Sequence, residues 1–244
     1  MAIHYSPNIS KEGLVLQLDA ANPKSYTGAG TTWYDTSGNG NHFSILATAY
    51  NSSGPKYMDF NGSYGCAKKT NSDLSLTGTS VTCVCWSRIK NSTSEWRTLF
   101  RGLSNGEDHQ VIIQSGAWTI GMYDNVNSTG FNSCGFSQQS IPGYDTGRWN
   151  MLVWRWVNVV NQYNTYEFCY NDTPSSTRGY ISSTNARFKS GVCSIGAYNN
   201  NVQTDPSNAS QYWGDIAHIS LYNRRLGDDE LLRYFQGMRG RFGI

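Results

Sequence analysis

The stretch that decides the fold is LYNRRLGDDELLRYFQGMRGRFGI, residues 221–244, which closes the sequence. Gly227 can act as a helix N-cap, with Glu230 three positions later, which makes an approximate capping box. Asp228 and Asp229 fall in the first turn, where carboxylates interact favourably with the helix dipole. The stretch therefore predicts a helix that begins at residue 228.

The predicted helix has one apolar stripe. Its members, at positions i, i+1 and i+4, are Leu231, Leu232 and Phe235. Gly237 is expected to end the helix near residue 236, and Arg233 and Arg239 lie near its negative end. A helix this short is marginal alone. We therefore expect it to dock its stripe on the rest of the chain, covering a sheet edge or one end of the core.

The residues before this helix alternate as strands do. GLVLQLDA (residues 13–20) places Leu14, Leu16 and Leu18 on one face. SVTCVCWSRI (residues 80–89) is apolar on both faces and is expected at the centre of a sheet. Further short apolar runs with Gly, Asn and Ser breaks follow, which predicts antiparallel strands joined by tight turns.

The last strand before the helix is WGDIAHISLY, residues 213–222. Strict alternation assigns its side chains to two faces. One face is expected to carry Ala217, Ile219 and Leu221, and the other Ile216, His218, Ser220 and Tyr222. We expect His218 to be a hydrogen-bonded strand residue rather than a metal ligand.

These patterns predict a single all-β domain. The chain offers eleven or more strand candidates, with no visible repeat and no Pro/Gly linker. The expected fold is an antiparallel two-sheet β-sandwich of the concanavalin A-like jelly-roll type, with one short C-terminal α-helix. The domain is expected to cover residues 13–244, preceded by an N-terminal arm at residues 1–12.

Composition excludes several classes of protein. The formal net charge is only +2, and no Lys/Arg cluster lies amid strand aromatics, so nucleic acid is not an expected partner. No apolar run approaches the about 18 residues of a membrane span, and the first residues do not resemble a signal peptide. Without secretion, all six cysteines are expected to be free thiols.

Two segments, residues 13–42 and 213–244, resemble the opening and closing of laminin G-like, concanavalin A-like jelly-roll domains in structural proteins of tailed bacteriophages. The opening match contains Trp33, Asp35, Ser37, Gly38, Asn39, Gly40 and Asn41. The closing match contains Tyr222, Asn223, Arg224, Leu226, Glu230, Arg239, Gly240, Arg241, Phe242 and Gly243. Gly227 departs from the usual Ser cap, and residues 43–212 match only in pattern.

The resemblance implies a non-enzymatic virion structural protein with a lectin-like fold. It would be a head decoration, a head fibre or a tail-associated module, found in the virion after assembly in the host cytoplasm. Its expected partners are other virion proteins, sister subunits in a homo-oligomer, and host surface glycans. The alternative is a carbohydrate-binding lectin module whose main task is glycan adhesion.

Several catalytic motifs are absent from the sequence. Glycosidases on such sandwiches need paired carboxylates, but none of the five glutamates has an acidic partner two positions along a strand. Glu167 is the best lone candidate, and we expect it to be a solvated strand residue. The chain has no P-loop or H-E-x-x-H motif. The sequence thus leads us to expect no enzymatic activity.

Binding residues are expected among aromatics in or beside loops that are rich in Asn, Asp and Gln. The candidates are Trp33, Trp118, Tyr123, Tyr198 and Trp213. Residues 196–213 form the most loop-like stretch. No organic cofactor is expected. Calcium is a weaker alternative, with Asp35 and Asp215 as the acidic residues nearest the two family segments.

The N-terminal arm has an extended amphipathic pattern. Its alternating side chains are Ile3, Tyr5, Pro7 and Ile9. Such a segment could add to a neighbour's sheet edge or lie in a groove, although a frayed terminus is an equal alternative. We expect the arm to attach the protein to another virion chain or to a sister subunit.

Overall fold

A computed structural model describes most of the chain. The described residues are 9–61, 65–69, 74, 76, 80–90, 96–104, 107–114, 119–124, 139–140, 147–159, 163–172, 177–181, 191–197 and 211–244. They form two antiparallel sheets and one α-helix, α1 (Asp228–Phe242). The predicted all-β, two-sheet sandwich with a C-terminal helix is confirmed.

The strands vary from two to ten residues in length. In chain order they are β1 (Leu14–Asp19), β2 (Thr32–Trp33), β3 (Phe43–Leu46), β4 (Ala49–Asn51), β5 (Tyr57–Asn61), β6 (Cys66–Lys69), β7 (Ser80–Ile89), β8 (Trp96–Ser104), β9 (Glu107–Gln114), β10 (Thr119–Asp124), β11 (Gln139–Ser140), β12 (Asn150–Val159), β13 (Tyr163–Tyr170), β14 (Thr177–Ile181), β15 (Val192–Ile195) and β16 (Trp213–Tyr222).

Each sheet contains eight of the described strands. Sheet A has the order β14-β13-β12-β7-β16-β5-β4, and β1 also pairs with β16. Sheet B has the order β11-β10-β9-β8-β15-β6-β3-β2. Strand β7 lies between β12 and β16, so the strand that is apolar on both faces is central, as predicted.

The space between the two sheets is filled by apolar side chains, which we call the inner core. Sheet A contributes Leu16, Val81 and Trp154, and sheet B contributes Phe43 and Phe100, all fully buried. Burial of this area supplies most of the favourable free energy of such a sandwich. The inner core therefore accounts for the apolar face of nearly every strand.

The opposite face of sheet A is covered by α1, and we call this second apolar cluster the outer core. Trp86 of β7 lies at its centre. Its ring stacks on Phe242, with centroids 4.1 Å apart, and on Phe235, with centroids 5.8 Å apart. Sheet A is thus buried on both faces, which explains why β7 has no polar face.

Helix α1 begins at Asp228 as predicted but ends at Phe242, so the predicted stop at Gly237 is wrong. The apolar stripe continues through Met238 and Phe242, both buried in the outer core. The burial of these side chains outweighs the cost of a glycine within a helix, about 1 kcal/mol. The actual C-cap is Gly243, whose φ of 71° is the left-handed conformation that glycine adopts easily.

Strand β16 contains a β-bulge between Ile216 and His218, where its register with β7 shifts. Ile216 therefore joins Ile219 in the inner core, and Ala217 lies with Tyr222 in the outer core. The predicted faces are wrong for Ile216 and Ala217, because a bulge adds one residue to one strand and breaks strict alternation.

The five described cysteines, Cys66, Cys83, Cys85, Cys169 and Cys193, are buried, and none of them is in a disulfide. Burial raises the pKa of the Cys66 thiol to about 11 and that of Cys169 to about 12. These side chains behave as small apolar residues of the cores. Cys134 lies outside the described residues.

None of the described helical residues form a segment with the length and apolar character that a membrane crossing requires.

Candidate functional site

The loop between β2 and β3 is held in place by one buried carboxylate. Asp35 Oδ1 accepts hydrogen bonds from the backbone N–H of Gln17, at 2.9 Å, and of Ser37, at 2.8 Å. Its Oδ2 accepts from the Asn41 N–H at 2.9 Å and from the Ser37 hydroxyl at 2.7 Å. A carboxylate with four donors fixes the loop and joins it to β1.

Two asparagine side chains add to this arrangement. Asn41 Nδ2 donates to Val15 O at 2.9 Å, and Asn39 Nδ2 donates to Leu14 O at 3.0 Å. The sequence D-T-S-G-N-G-N therefore anchors the loop along β1. This role explains why the loop is rich in Asp, Ser, Asn and Gly, the residue types that favour turns. The backbone of this loop is therefore held in place against β1.

Tyr34 projects from this loop into solvent. Among the described side chains, three large apolar or aromatic ones are exposed: Tyr34, Leu232 and Ile244. Tyr34 is the aromatic one, with 43% of its surface exposed. His42, also exposed, lies edge-on to it, with ring centroids 5.2 Å apart and an interplanar angle of 70°. Together they form a small aromatic surface on a rigid loop.

The His42 ring is oriented by the backbone. The Asp35 N–H donates to His42 Nδ1 at 3.1 Å. A neutral imidazole whose Nδ1 accepts carries its proton on Nε2. His42 therefore presents an N–H donor beside the Tyr34 ring, and the pair offers an aromatic face, a hydroxyl and an N–H.

Trp33, the first of the five predicted binding residues, is buried. Trp33 has 0% of its surface exposed and lies in the inner core, so it offers no ring face to a ligand. Tyr34 is the next residue, and successive side chains of an extended segment point to opposite sides. The sequence signal that could have identified Tyr34 is this alternation, with Trp33 assigned to the core side.

Of the other four predicted residues, Trp213 is the one whose side chain the structure describes. Trp213 is half-buried on β16. Tyr123 belongs to β10, of which the backbone is described. Trp118 and Tyr198 lie outside the described residues, as does most of the loop at 196–213.

The two predicted calcium ligands are engaged by protein groups. Asp35 accepts the four bonds described above. Asp215 is buried and forms ion pairs with Arg88, at 2.5 Å, and Lys90, at 2.8 Å. Among the described residues, no group of three or more His, Cys, Asp or Glu side chains is arranged to hold a metal ion. Donors of the protein thus occupy the carboxylate oxygens that calcium would use.

Glu167 is not solvated, contrary to the sequence-based expectation. It is buried, and its Oε2 accepts from Arg155 at 2.8 Å and from Arg225 at 2.7 Å. Burial raises the pKa of Glu167, but hydrogen bonds from these two guanidinium groups lower it further, so the net pKa is below the usual value. Arg155 also binds Asp228 at 2.5 Å. Glu167 therefore belongs to an ion network that holds the start of α1.

The structure contains a buried chain of polar side chains that the sequence analysis did not predict. We call this chain, which consists of Asp19, His218, Ser220 and Tyr234, the relay. His218 Nδ1 lies 3.3 Å from Asp19 Oδ2. On the other side of the ring, Nε2 lies 2.8 Å from Ser220 Oγ and 2.5 Å from the Tyr234 hydroxyl. Tyr234 also donates to Ser220, at 2.9 Å. The expectation that His218 is a hydrogen-bonded strand residue is confirmed.

An acid, an imidazole and a hydroxyl in this order are the arrangement that activates serine nucleophiles. Here, however, Ser220 is fully buried beneath α1 and faces protein on all sides. At the opposite end of the relay, Arg241 donates to Asp19 at 2.8 Å. Since both Tyr234 and Arg241 belong to α1, the relay ties the helix to sheet A.

Comparisons with known proteins give a fold but no family. No protein-family model matches the chain, and no curated protein sequence matches it significantly. Among solved structures, the sialidase of Trypanosoma rangeli in complex with sialic acid matches with a TM-score of 0.66 at 14% identity, over 94% of this chain and 33% of that chain. The chain thus spans about a third of the sialidase.

A second group of similar structures comes from botulinum neurotoxin. The binding domain of serotype D/C matches with a TM-score of 0.66 at 14% identity, over 93% of this chain and 53% of that chain. The DC binding domain in complex with rat synaptotagmin II matches with a TM-score of 0.65 at 13% identity, over 93% and 52%. At these identities the likeness shows the fold, a jelly-roll-like β-sandwich.

These matches correct one expectation from the sequence. The lack of paired carboxylates led us to expect a protein that is not an enzyme, and the sialidase matches contradict that expectation, because they are enzymes that contain a region of this fold. A missing carboxylate pair was too narrow a criterion, since it tests one kind of glycosidase only.

Proposed function

We propose that the protein is a carbohydrate-binding module with a lectin-like β-sandwich fold, and that the Tyr34–His42 surface contacts the glycan. The observation that carries this proposal is the exposed Tyr34 ring, 5.2 Å from His42 on a loop that Asp35 pins to β1.

The chemistry of the surface suits a sugar. The C–H face of a pyranose packs on an aromatic ring, and its hydroxyls need nearby donors and acceptors. The Tyr34 ring supplies the first, and its hydroxyl and the His42 Nε2–H supply the second. Because four hydrogen bonds on Asp35 already order the loop, little conformational entropy is lost on binding.

The similar structures support a binding role for a sandwich of this fold. One is a sialidase in complex with sialic acid, and another is a toxin binding domain in complex with rat synaptotagmin II. A sandwich of this fold therefore occurs in proteins that bind a sugar and in proteins that bind another protein. We propose a surface glycan as the ligand.

The proposed setting is the virion of a tailed bacteriophage, where the module would be a head decoration, head fibre or tail-associated protein. Its support is the resemblance of residues 13–42 and 213–244 to such proteins. Several of the matching residues turn out to hold the two ends of the domain. Asp35 pins the first loop, Arg224 pairs with Glu230, and Arg241 pairs with Asp19. Immunogold labelling of purified particles with an antibody against the protein tests this setting, and unlabelled particles contradict it.

Glycan binding is tested by applying the full chain to a glycan array. We expect the wild-type protein to bind a defined set of glycans and Tyr34→Ala to lose at least tenfold in affinity. Leu232→Ala is the matched control, because Leu232 is similarly exposed, at 41%, but lies on α1. Equal binding by Tyr34→Ala and wild type, or no binding by the wild type, would reject the proposal.

A further inference from the structure

A cavity of about 250 Å³ lies where the N-terminal segment, the end of β16 and helix α1 meet. Ile9 and Leu226 form apolar walls, and Ser10, Glu230 and Arg233 contribute polar groups. One water molecule occupies about 30 Å³ in the liquid. The cavity is therefore large enough for a small organic molecule such as a single sugar ring.

Tyr222, one of the residues that line this cavity, carries a buried hydroxyl with no partner among the described residues. Tyr222 is fully buried, and its hydroxyl makes no hydrogen bond within the described residues. Nearly all buried hydroxyls in folded proteins are paired, since an unpaired one costs free energy. Burial raises the pKa of Tyr222, so the group stays a neutral hydroxyl that can both donate and accept.

The neighbouring polar groups keep spare hydrogen-bonding capacity. Ser10 Oγ accepts from Arg224 at 3.0 Å, which leaves its O–H to donate. Glu230 Oε1 accepts from Arg224 at 2.7 Å, and a carboxylate oxygen has a second lone pair. Arg233 donates through Nη2 to Asp229 at 2.9 Å, and a guanidinium has further N–H groups.

The balance of these groups indicates the class of ligand. One carboxylate, Glu230, and one guanidinium, Arg233, face the same space, so neither an anion nor a cation is favoured. Donors and acceptors are mixed, and apolar walls lie on two sides. A neutral polyhydroxylated molecule satisfies such a set, because each hydroxyl both donates and accepts.

We infer that this cavity is a second binding site, which takes a neutral polyhydroxylated molecule about the size of one monosaccharide and uses the Tyr222 hydroxyl as its buried partner. The site is separate from the Tyr34–His42 surface and does not depend on the function proposed for it. A ligand held there contacts both the N-terminal segment and α1, so its binding stabilises the docking of both.

The test measures binding of glycerol, D-glucose, D-galactose and D-mannose to the full chain by isothermal titration calorimetry. We expect at least one of them to bind saturably to the wild type, and Tyr222→Phe to weaken that binding at least tenfold. Tyr34→Ala is expected to leave it unchanged, which separates this site from the exposed aromatic surface. Absence of binding by all four probes, or equal binding by Tyr222→Phe, overturns the inference.

A second measurement distinguishes a loss of ligand binding from a loss of folding stability. Because the Tyr222 hydroxyl has no partner among the described residues, Tyr222→Phe is expected to unfold at the same or a higher temperature than the wild type without ligand. With the best probe at saturation, only the wild type is expected to gain melting temperature. A marked loss of melting temperature in unliganded Tyr222→Phe would show that the hydroxyl already has a protein partner, and would reject the site.

Discussion

The two faces of sheet A are covered in different ways. The inner face meets sheet B through apolar side chains such as Leu16, Val81 and Trp154. The outer face meets α1 through apolar rings as well, but it also carries polar groups that bond to the helix or to the turn before it. These are Thr82, Arg155, His218 and Ser220.

The difference shows what each kind of contact contributes. Apolar burial is non-directional and does not by itself determine where a helix lies on a sheet. Hydrogen bonds are directional, and those on the outer face contact α1 near its start, at its middle and near its end, through Asp228, Tyr234 and Arg241. We infer that the apolar contacts of the outer core hold α1 against sheet A. The polar contacts determine where the helix lies on the sheet.

The largest expected effect comes from removing the outer core's central ring. Trp86→Ala deletes the ring that stacks on both Phe235 and Phe242, and large-to-small changes of this kind cost about 3–5 kcal/mol. Denaturant unfolding measures the loss, with Ile219→Ala in the inner core as the control at about 2–5 kcal/mol. A loss below about 1 kcal/mol for Trp86→Ala would show that α1 is not part of the cooperative core.

The second effect concerns the ion network at the start of α1. Arg155→Met keeps the length of the side chain but removes the buried guanidinium that pairs with both Asp228 and Glu167. Breaking a buried pair costs about 3–5 kcal/mol, and we expect the lower end because Asp228 is half-exposed. Arg225→Met, which removes the more exposed partner of Glu167, should cost less in the same unfolding experiment. The reverse order would contradict this account of the network.

The third effect is a dependence on pH. Burial raises the pKa of Asp19, but hydrogen bonding and charge from His218, with the charge of Arg241, lower it much more, so its folded pKa lies well below the usual value of about 3.9. In acid the unfolded chain therefore binds more protons than the folded one. The contribution of Asp19 is present above about pH 4 and is lost as the pH falls.

Asp19→Asn removes this contribution, so we expect its stability to fall less steeply than that of the wild type between pH 5 and 2. Glu230 adds to the same trend, because Arg224 lowers its pKa to about 2. The signal to follow is the near-ultraviolet circular dichroism of the outer core. If the stability of Asp19→Asn falls as steeply with decreasing pH as that of the wild type, the role assigned to the relay is wrong.

The smallest effect tests the helix start. The Gly227 N–H donates to Glu230 Oε2 at 2.9 Å, which is one half of a capping box. Glu230→Ala is expected to cost about 1 kcal/mol. Arg233→Ala removes an exposed i,i+4 pair with Asp229 and should cost at most about 0.5 kcal/mol. Thermal unfolding distinguishes the two variants, and equal losses would show that the cap contributes nothing beyond surface charge.

Sequence periodicity was sufficient for the parts of the fold that depend on local patterns. It predicted the central place of β7, the antiparallel sandwich and the start of α1. It failed where tertiary packing overrides a local signal. Gly237 did not end the helix, because Phe242 continues the apolar stripe, and Leu232 is exposed rather than part of it.

The polar sites were harder to predict than the fold. Asp19, His218 and Tyr234 are distant in sequence, and only the pairing of β1 with β16 and the docking of α1 bring them together. Trp33 and Tyr34 are adjacent, yet one is buried and the other exposed. Residue type alone gave no means of choosing between them.

The position of β16 has a consequence for biosynthesis. Among the described strands it is synthesised after all the others, yet it lies inside sheet A, with β7 on one side and β5 and β1 on the other. Until it emerges from the ribosome, the edges of β7 and β1 have no partner, and the contact between Leu14 and Tyr222 closes a span of almost the whole domain. Such late, long-range pairing makes folding slow and exposes apolar edges to aggregation. The domain should therefore fold only after β16 has emerged from the ribosome, and a fragment that stops before residue 213 should be recognised by chaperones and proteases as unfolded.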